Sequence, residues 1–88
     1  MSQEFPSVPT LVDATIHVVS QANGPIKNEA ITQAVISHLK IGPELVAIIH
    51  SGNRTELDYR LAWARTYAAK KGAIVRVAPS TWATNPSH

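Results

Sequence analysis

Apolar positions recur along this chain with helical spacing in four places and alternate in one. Val12, Ile16 and Val19 fall at i, i+4 and i+7, the single stripe of an amphipathic helix. Thr10 is its expected cap, with Asp13 three residues on as a capping-box partner, and Asn23-Gly24-Pro25 stops it. The short extended piece Pro25-Ile26-Lys27 leads to a second helix, capped by Asn28 and carrying Glu29 in the first turn, where the helix dipole favours a carboxylate. Ile31, Ala34, Val35 and Leu39 form its buried face. Gly42-Pro43 ends that segment and restarts it, the proline taking a first helical position. Leu45, Val46, Ile48 and Ile49 then read as a short, very apolar third helix terminated by Ser51-Gly52.

The longest helix follows, with Asn53 as its cap, Glu56 at the capping-box position and Gly72 as its stop. Leu57, Leu61, Ala64 and Ala68 project together as a core stripe. Arg60, Trp63 and Tyr67 lie along its flank, and Thr55, Tyr59, Ala62 and Thr66 occupy the opposite face. Lys70 and Lys71 fall in the last turn, where positive charge suits the dipole. After Gly72 the period becomes two: Ala73–Val77 reads as a strand, Ala78-Pro79-Ser80 as a turn and Thr81–Thr84 as the returning strand. The order of helix, short strand, helix, extra helix, long helix and hairpin predicts a mainly α fold with a small β-hairpin, a winged helix-turn-helix. Residues 1–9 are expected as a loose arm, 10–84 as the winged-helix domain and 85–88 as a disordered tail.

Composition narrows the functional classes. The 88 residues suffice for one domain. No apolar run approaches the ~20 residues of a membrane span, and the opening MSQEFPSVP lacks the pattern of a signal peptide, so a cytoplasmic protein is expected. With no cysteine there is no disulfide framework, thiolate zinc site or thiol nucleophile. His17, His38, His50 and His88 lie on separate segments without a His-x₃-His pair. Ser20, Ser37 and Ser51 lack a nucleophile-elbow context, and no phosphate-cradling glycine loop occurs. The expectation is a binding module without metal, cofactor or catalytic set. Net charge is +2 and the isoelectric point about 9.3. Of the eight Lys and Arg residues only Lys27 precedes Lys40; the rest run from there to Arg76, diluted by Glu44, Glu56 and Asp58.

The long helix is the candidate for insertion into the major groove of double-stranded DNA. Its exposed face offers Thr55, Tyr59, Ala62 and Thr66, with Arg54, Asp58 and Arg65 on one shoulder and Asn53 at its start. Asn, Arg and Thr suit base edges and phosphates, and the small Ala62 lets the helix axis approach the backbone. Asp58 opposes this unless Arg54 neutralises it. Arg60, Trp63 and Tyr67 suggest an aromatic cage for a flipped base, but packing beneath the hairpin is the favoured reading, with Trp82 as the hairpin's apolar anchor. Lys70 and Lys71 serve the dipole or phosphates equally well. Arg76 alternates with Val75 and Val77, so it is expected to point outward and make the wing contact. The competing reading is a protein-interaction module in which the apolar Leu45–Ile49 segment is a dimer or partner surface.

The residues from Gly42 to Trp82 resemble the N-terminal winged-helix domain of Mrr-type restriction systems. The resemblance rests on Gly52, then Arg60, Trp63-Ala64, Tyr67 and Gly72, then a wing ending in Trp82. It implies a DNA-docking module that forms part of a restriction, defence or regulatory system and works with a nuclease domain or subunit; a homodimer would place two long helices on successive grooves. The family's basic residue and glycine before the wing aromatic are replaced by Pro79-Ser80-Thr81. Such nucleases carry a Glu-x-Lys pair, whereas Glu4, Glu29, Glu44 and Glu56 each lack a lysine two residues on. The resemblance therefore implies docking without cutting.

Overall fold

Helix α1 spans Val8–Gln21 in the computed structural model, which describes residues 4–86. Its cap is Ser7 rather than Thr10: the Ser7 Oγ accepts from the Thr10 backbone N–H at 3.4 Å and shares a 2.9 Å hydrogen bond with the Thr10 hydroxyl. Pro9 then falls in the first turn, where its missing N–H costs nothing. Of the expected arm, Phe5 packs against the core and Val8 and Pro9 are helical, while residues 1–3 lie outside the described residues. The buried face is broader than the stripe of Val12, Ile16 and Val19. Leu11, Ala14, Thr15 and Val18 join it, while Ile16 is half-buried. Thr15 is tolerated there because its hydroxyl donates to the Leu11 carbonyl at 2.8 Å.

Strand β1 (Ile26–Lys27) runs into α2 (Asn28–Leu39), whose cap position is Lys27 with no side-chain cap bond. Asn28 has a different task from the capping expected of it. Its Oδ1 accepts from the Trp82 indole N–H at 2.7 Å, and its backbone N–H donates to the Ser80 carbonyl at 2.9 Å. Ile31 and Val35 are fully buried, Ala34 and Leu39 half-buried. Lys40 ends the helix in the left-handed region at φ 54°.

Helix α3 is confined to Pro43–Val46, so the apolar third helix expected through Ile49 is corrected. Ile49–Ser51 form strand β2, paired antiparallel with β3 (Arg54–Thr55) through Ile49↔Thr55 and, past an irregularity, Ser51↔Arg54. The Ile48 carbonyl, which a continuing helix would turn toward a later N–H of its own segment, instead accepts from the Glu56 N–H at 2.8 Å. Gly52 makes the reversal at φ 54°, a conformation a side chain resists. A short apolar run fits either period, so contacts beyond it decide. Asn53 accordingly sits in a hairpin turn and caps nothing.

Helix α4 spans Glu56–Lys70, with Thr55 as cap accepting from the Asp58 N–H at 3.1 Å. Leu57, Leu61, Ala64 and Ala68 are all buried, and α4 packs chiefly on α1. Gly72, at φ 80°, turns the chain into β4 (Ile74–Ala78) and β5 (Thr81–Thr84). The sheet order is β1-β5-β4, with Ile26 and Arg76 both opposite Trp82. The result is a winged-helix fold, mainly helical with a small antiparallel sheet, carrying a second hairpin between α3 and α4. Asn85, assigned above to the tail, is held in place: its N–H donates to the Ala73 carbonyl at 3.1 Å and its side-chain amide to the Gly72 carbonyl at 2.8 Å. Ser87 and His88 lie outside the described residues. Among the described residues no helix is long and apolar enough to cross a membrane.

The Asn28–Trp82 bond joins residues 54 positions apart in a partly buried setting. Replacing Trp82 with Phe keeps a ring against the core but removes the donor and strands the Asn28 oxygen. We expect a loss of about 1–2 kcal/mol, read as a lower urea midpoint with an unchanged m-value.

Candidate functional site

The stripe that α4 buries is narrow, so most of its circumference is left to other neighbours or to solvent. Two clefts flank its outward face. The first, about 320 Å³, lies between α2 and α4 and is lined by Asn28, Glu29, Thr32, Gln33, Arg54, Asp58 and Arg65. The second, about 280 Å³, is lined by Arg54, Tyr59, Ala62, Trp63 and Thr66. Arg54 borders both.

Arg54 reaches this position because β3 delivers it to the start of α4. Its guanidinium carbon lies 5.6 Å from the centre of the Tyr59 ring, within cation–π range. Tyr59 is in turn stacked on His50 of β2, with ring centres 3.9 Å apart and planes 12° from parallel. His50 is held by Glu56, its Nδ1 standing 3.0 Å from Glu56 Oε1; a carboxylate only accepts, so Nδ1 carries the hydrogen. The Arg60 Nε–H donates to the other Glu56 oxygen at 2.8 Å. Hydrogen bonds from His50 and then from Arg60 hold the Glu56 carboxyl below its ordinary value of 4.5.

In the first cleft Arg65 is half-buried. Burial pushes its guanidinium below the ordinary value, the charge of Asp58 acts in the opposite sense, and Arg54 adds to the lowering. It remains a cation at neutral pH, as a guanidinium does throughout proteins. Asp58 thus stands beside the two arginines rather than alone.

Of the residues singled out from the sequence, Arg54, Tyr59, Ala62 and Thr66 line one cleft, and Arg54 and Arg65 the other. Asn53, Thr55 and Arg76 line neither. Thr55 is half-buried and its oxygen accepts from the Asp58 N–H as the α4 cap. Arg76 is exposed, as expected, but for another reason. It lies opposite Trp82 and two residues from buried Ile74, on the sheet face that carries the core contacts; the other face bears Val75 and the exposed Val77. Its exposure comes from sitting farther out along the hairpin than Ile74.

Arg60, Trp63 and Tyr67 do not pack beneath the hairpin. Trp63 and Tyr67 are 47% and 42% exposed, tilted against each other at 6.0 Å, and they share an apolar cleft with Val8 of α1. The Arg60 guanidinium lies over Phe5 at 4.5 Å. The hairpin is tied to β1 and the start of α2, so this flank falls to the segment preceding α1. Asn28, Glu29, Thr32 and Gln33 were missed as site residues. Their signal was present, since positions 28, 29, 32 and 33 form one polar helical face beside the buried Ile31 and Val35. The fold also brings together His17 and His38, stacked at 4.3 Å. Among the described residues no group of three or more His, Cys, Asp or Glu is placed to hold a metal ion.

A family model described as the Mrr N-terminal domain matches residues 9–87, nearly the whole chain. No curated protein and no solved structure matches it.

A Glu56 carboxyl lowered in the folded state contributes stability that is present above its unfolded value and lost as pH falls through its folded one. Glu56→Gln should therefore flatten the acid limb of a plot of urea midpoint against pH, below about pH 4.5. Superimposable acid limbs for the two proteins would show that the Glu56 hydrogen bonds do not tune stability.

Proposed function

We propose that this chain, which belongs to the Mrr N-terminal domain family, docks on double-stranded DNA through the outward face of α4. Membership ties the domain to restriction systems. In our reading it is the targeting module of a restriction, defence or regulatory system, working in the cytoplasm beside a nuclease domain or subunit that does the cutting.

The observation that carries this is the placement of Arg54 where two clefts meet on one exposed helix face. A helix so presented enters the major groove with its first turns leading. Arg54 and Arg65 supply positive charge on that side, and the polar face of α2 runs alongside, where the first helix of such a pair crosses the phosphate backbone. Ala62, half-buried and small, adds no bulk between helix axis and groove. Arg76 on the hairpin is the candidate wing contact. Arg60 is bound up with Glu56 and Phe5 and takes no part. One domain makes few contacts, so a homodimer setting two α4 helices on successive grooves strengthens the binding.

A second reading has its own observation. Ile48 and Ile49 are 42% and 58% exposed at the second hairpin, an apolar surface that suits a protein contact. It is compatible with dimerisation and becomes the leading reading if DNA does not bind.

Fluorescence anisotropy of a labelled duplex titrated with the protein separates the two. Three or four phosphate contacts predict a slope of about −3 to −4 in log K against log salt. Arg54→Ala should weaken binding by about 1 kcal/mol or more. Absence of binding at low salt would sink the DNA reading, and an unchanged curve for Arg54→Ala would move the contact surface elsewhere.

A further inference from the structure

We propose that the cleft between Tyr59 and Trp63 reads the C5 methyl group of thymine; the inference rests on the duplex-docking reading above.

The two clefts beside Arg54 differ in chemistry. The one shared with α2 is polar throughout, lined by amides, a hydroxyl and charged groups, with the carboxylates Glu29 and Asp58 offsetting Arg54 and Arg65. The other is walled by two aromatic rings, with Ala62 and Thr66 beside them. Tyr59 and Trp63 stand at i and i+4, neighbours on the helix surface. The Tyr59 ring is held before any ligand arrives, by the His50 stack at 3.9 Å, and His50 is itself fixed by Glu56. Thr66 appears polar in the sequence, but its hydroxyl donates to the Ala62 carbonyl at 3.1 Å. With that hydrogen directed into its own helix, Thr66 has no donor left for a base edge and presents its methyl beside an acceptor oxygen. Arg54, the one cation of the cleft, lies against Tyr59.

An apolar cleft on a helix in the major groove has one natural complement. Guanine, adenine and cytosine present acceptors and donors there, and thymine adds the C5 methyl. Rings and methyl groups recognise that methyl by excluding water from it, whereas they leave an amino or carbonyl edge unsatisfied. The cleft therefore favours A·T pairs at the position it covers.

Replacing thymine by uracil removes this methyl alone and keeps the pairing edge. Anisotropy titrations would use one A·T-rich labelled duplex made with thymine and again with uracil, at fixed low salt. The protein should bind the thymine duplex about fourfold more tightly for each methyl engaged. Thr66→Ser keeps the hydroxyl and loses the methyl, and Trp63→Ala removes a wall. Each should bring the ratio toward one. Equal binding of the two duplexes by the unmodified protein overturns the inference while leaving duplex docking intact. A thymine preference that persists undiminished in both variants also overturns it, since the methyl is then sensed elsewhere or through DNA shape. Failure to bind either duplex removes the docking reading and this inference with it.

Discussion

The packing of α4 on α1 is the constraint on which the remaining structure rests. Leu57, Leu61, Ala64 and Ala68 are buried along one line, and α1 answers with a wider apolar face that includes Leu11, Val18 and Val19. Two of the four α4 residues are alanines, which hold the helices close while covering little of the circumference. Close packing of this kind permits little rotation of α4 about its axis, because a turn of one residue would bring Asp58 or Arg65 into the space of Leu57 or Ala64. Once that rotation is set, the outward direction of Tyr59, Ala62 and Thr66 follows.

The two hairpins then determine what surrounds that face. Strand β5 lies between β1 and β4, and Trp82 and Ser80 both bond to Asn28, so the wing is fixed to the first turn of α2. The smaller hairpin carries Arg54 and His50 to the start of α4, where Glu56 accepts from His50 and Arg60 together. Glu56 thereby sorts the arginines by role. Arg60 is drawn to the α1 side and over Phe5, while Arg54 stays at the junction of the clefts. This division matters in a chain of net charge only +2, where few cations are available for a polyanion. In the proposed reading, placement more than charge is what fits this face to DNA.

Much of the fold was legible in the sequence, and so was about half of the candidate site. Helical periodicity located α1, α2 and α4, and all four residues of the α4 stripe are buried as their spacing demands. Alternation after Gly72 located the wing, and the turn residues located its reversal. Tyr59, Ala62 and Thr66 were recognisable as one face, with Arg54 and Arg65 on its shoulder, because spacing along a helix is a local property. The capping role of Thr55 was not legible, because which residue caps a helix is settled by the geometry at the helix start.

What the sequence determined by itself was which side chains share a face, since backbone repeat and residue order suffice for that. The tertiary structure decided which neighbour covers each face. Ile48 and Ile49 left the helix because Glu56, from the following segment, bonds to the Ile48 carbonyl. Asn28 became an acceptor for an indole 54 residues away instead of a cap. Trp63 and Tyr67 stayed exposed because the wing was held elsewhere, and His50 met Tyr59 because a hairpin returned it there. Each of these outcomes is a competition between partners distant along the chain, and the local pattern contains no information about distance in space.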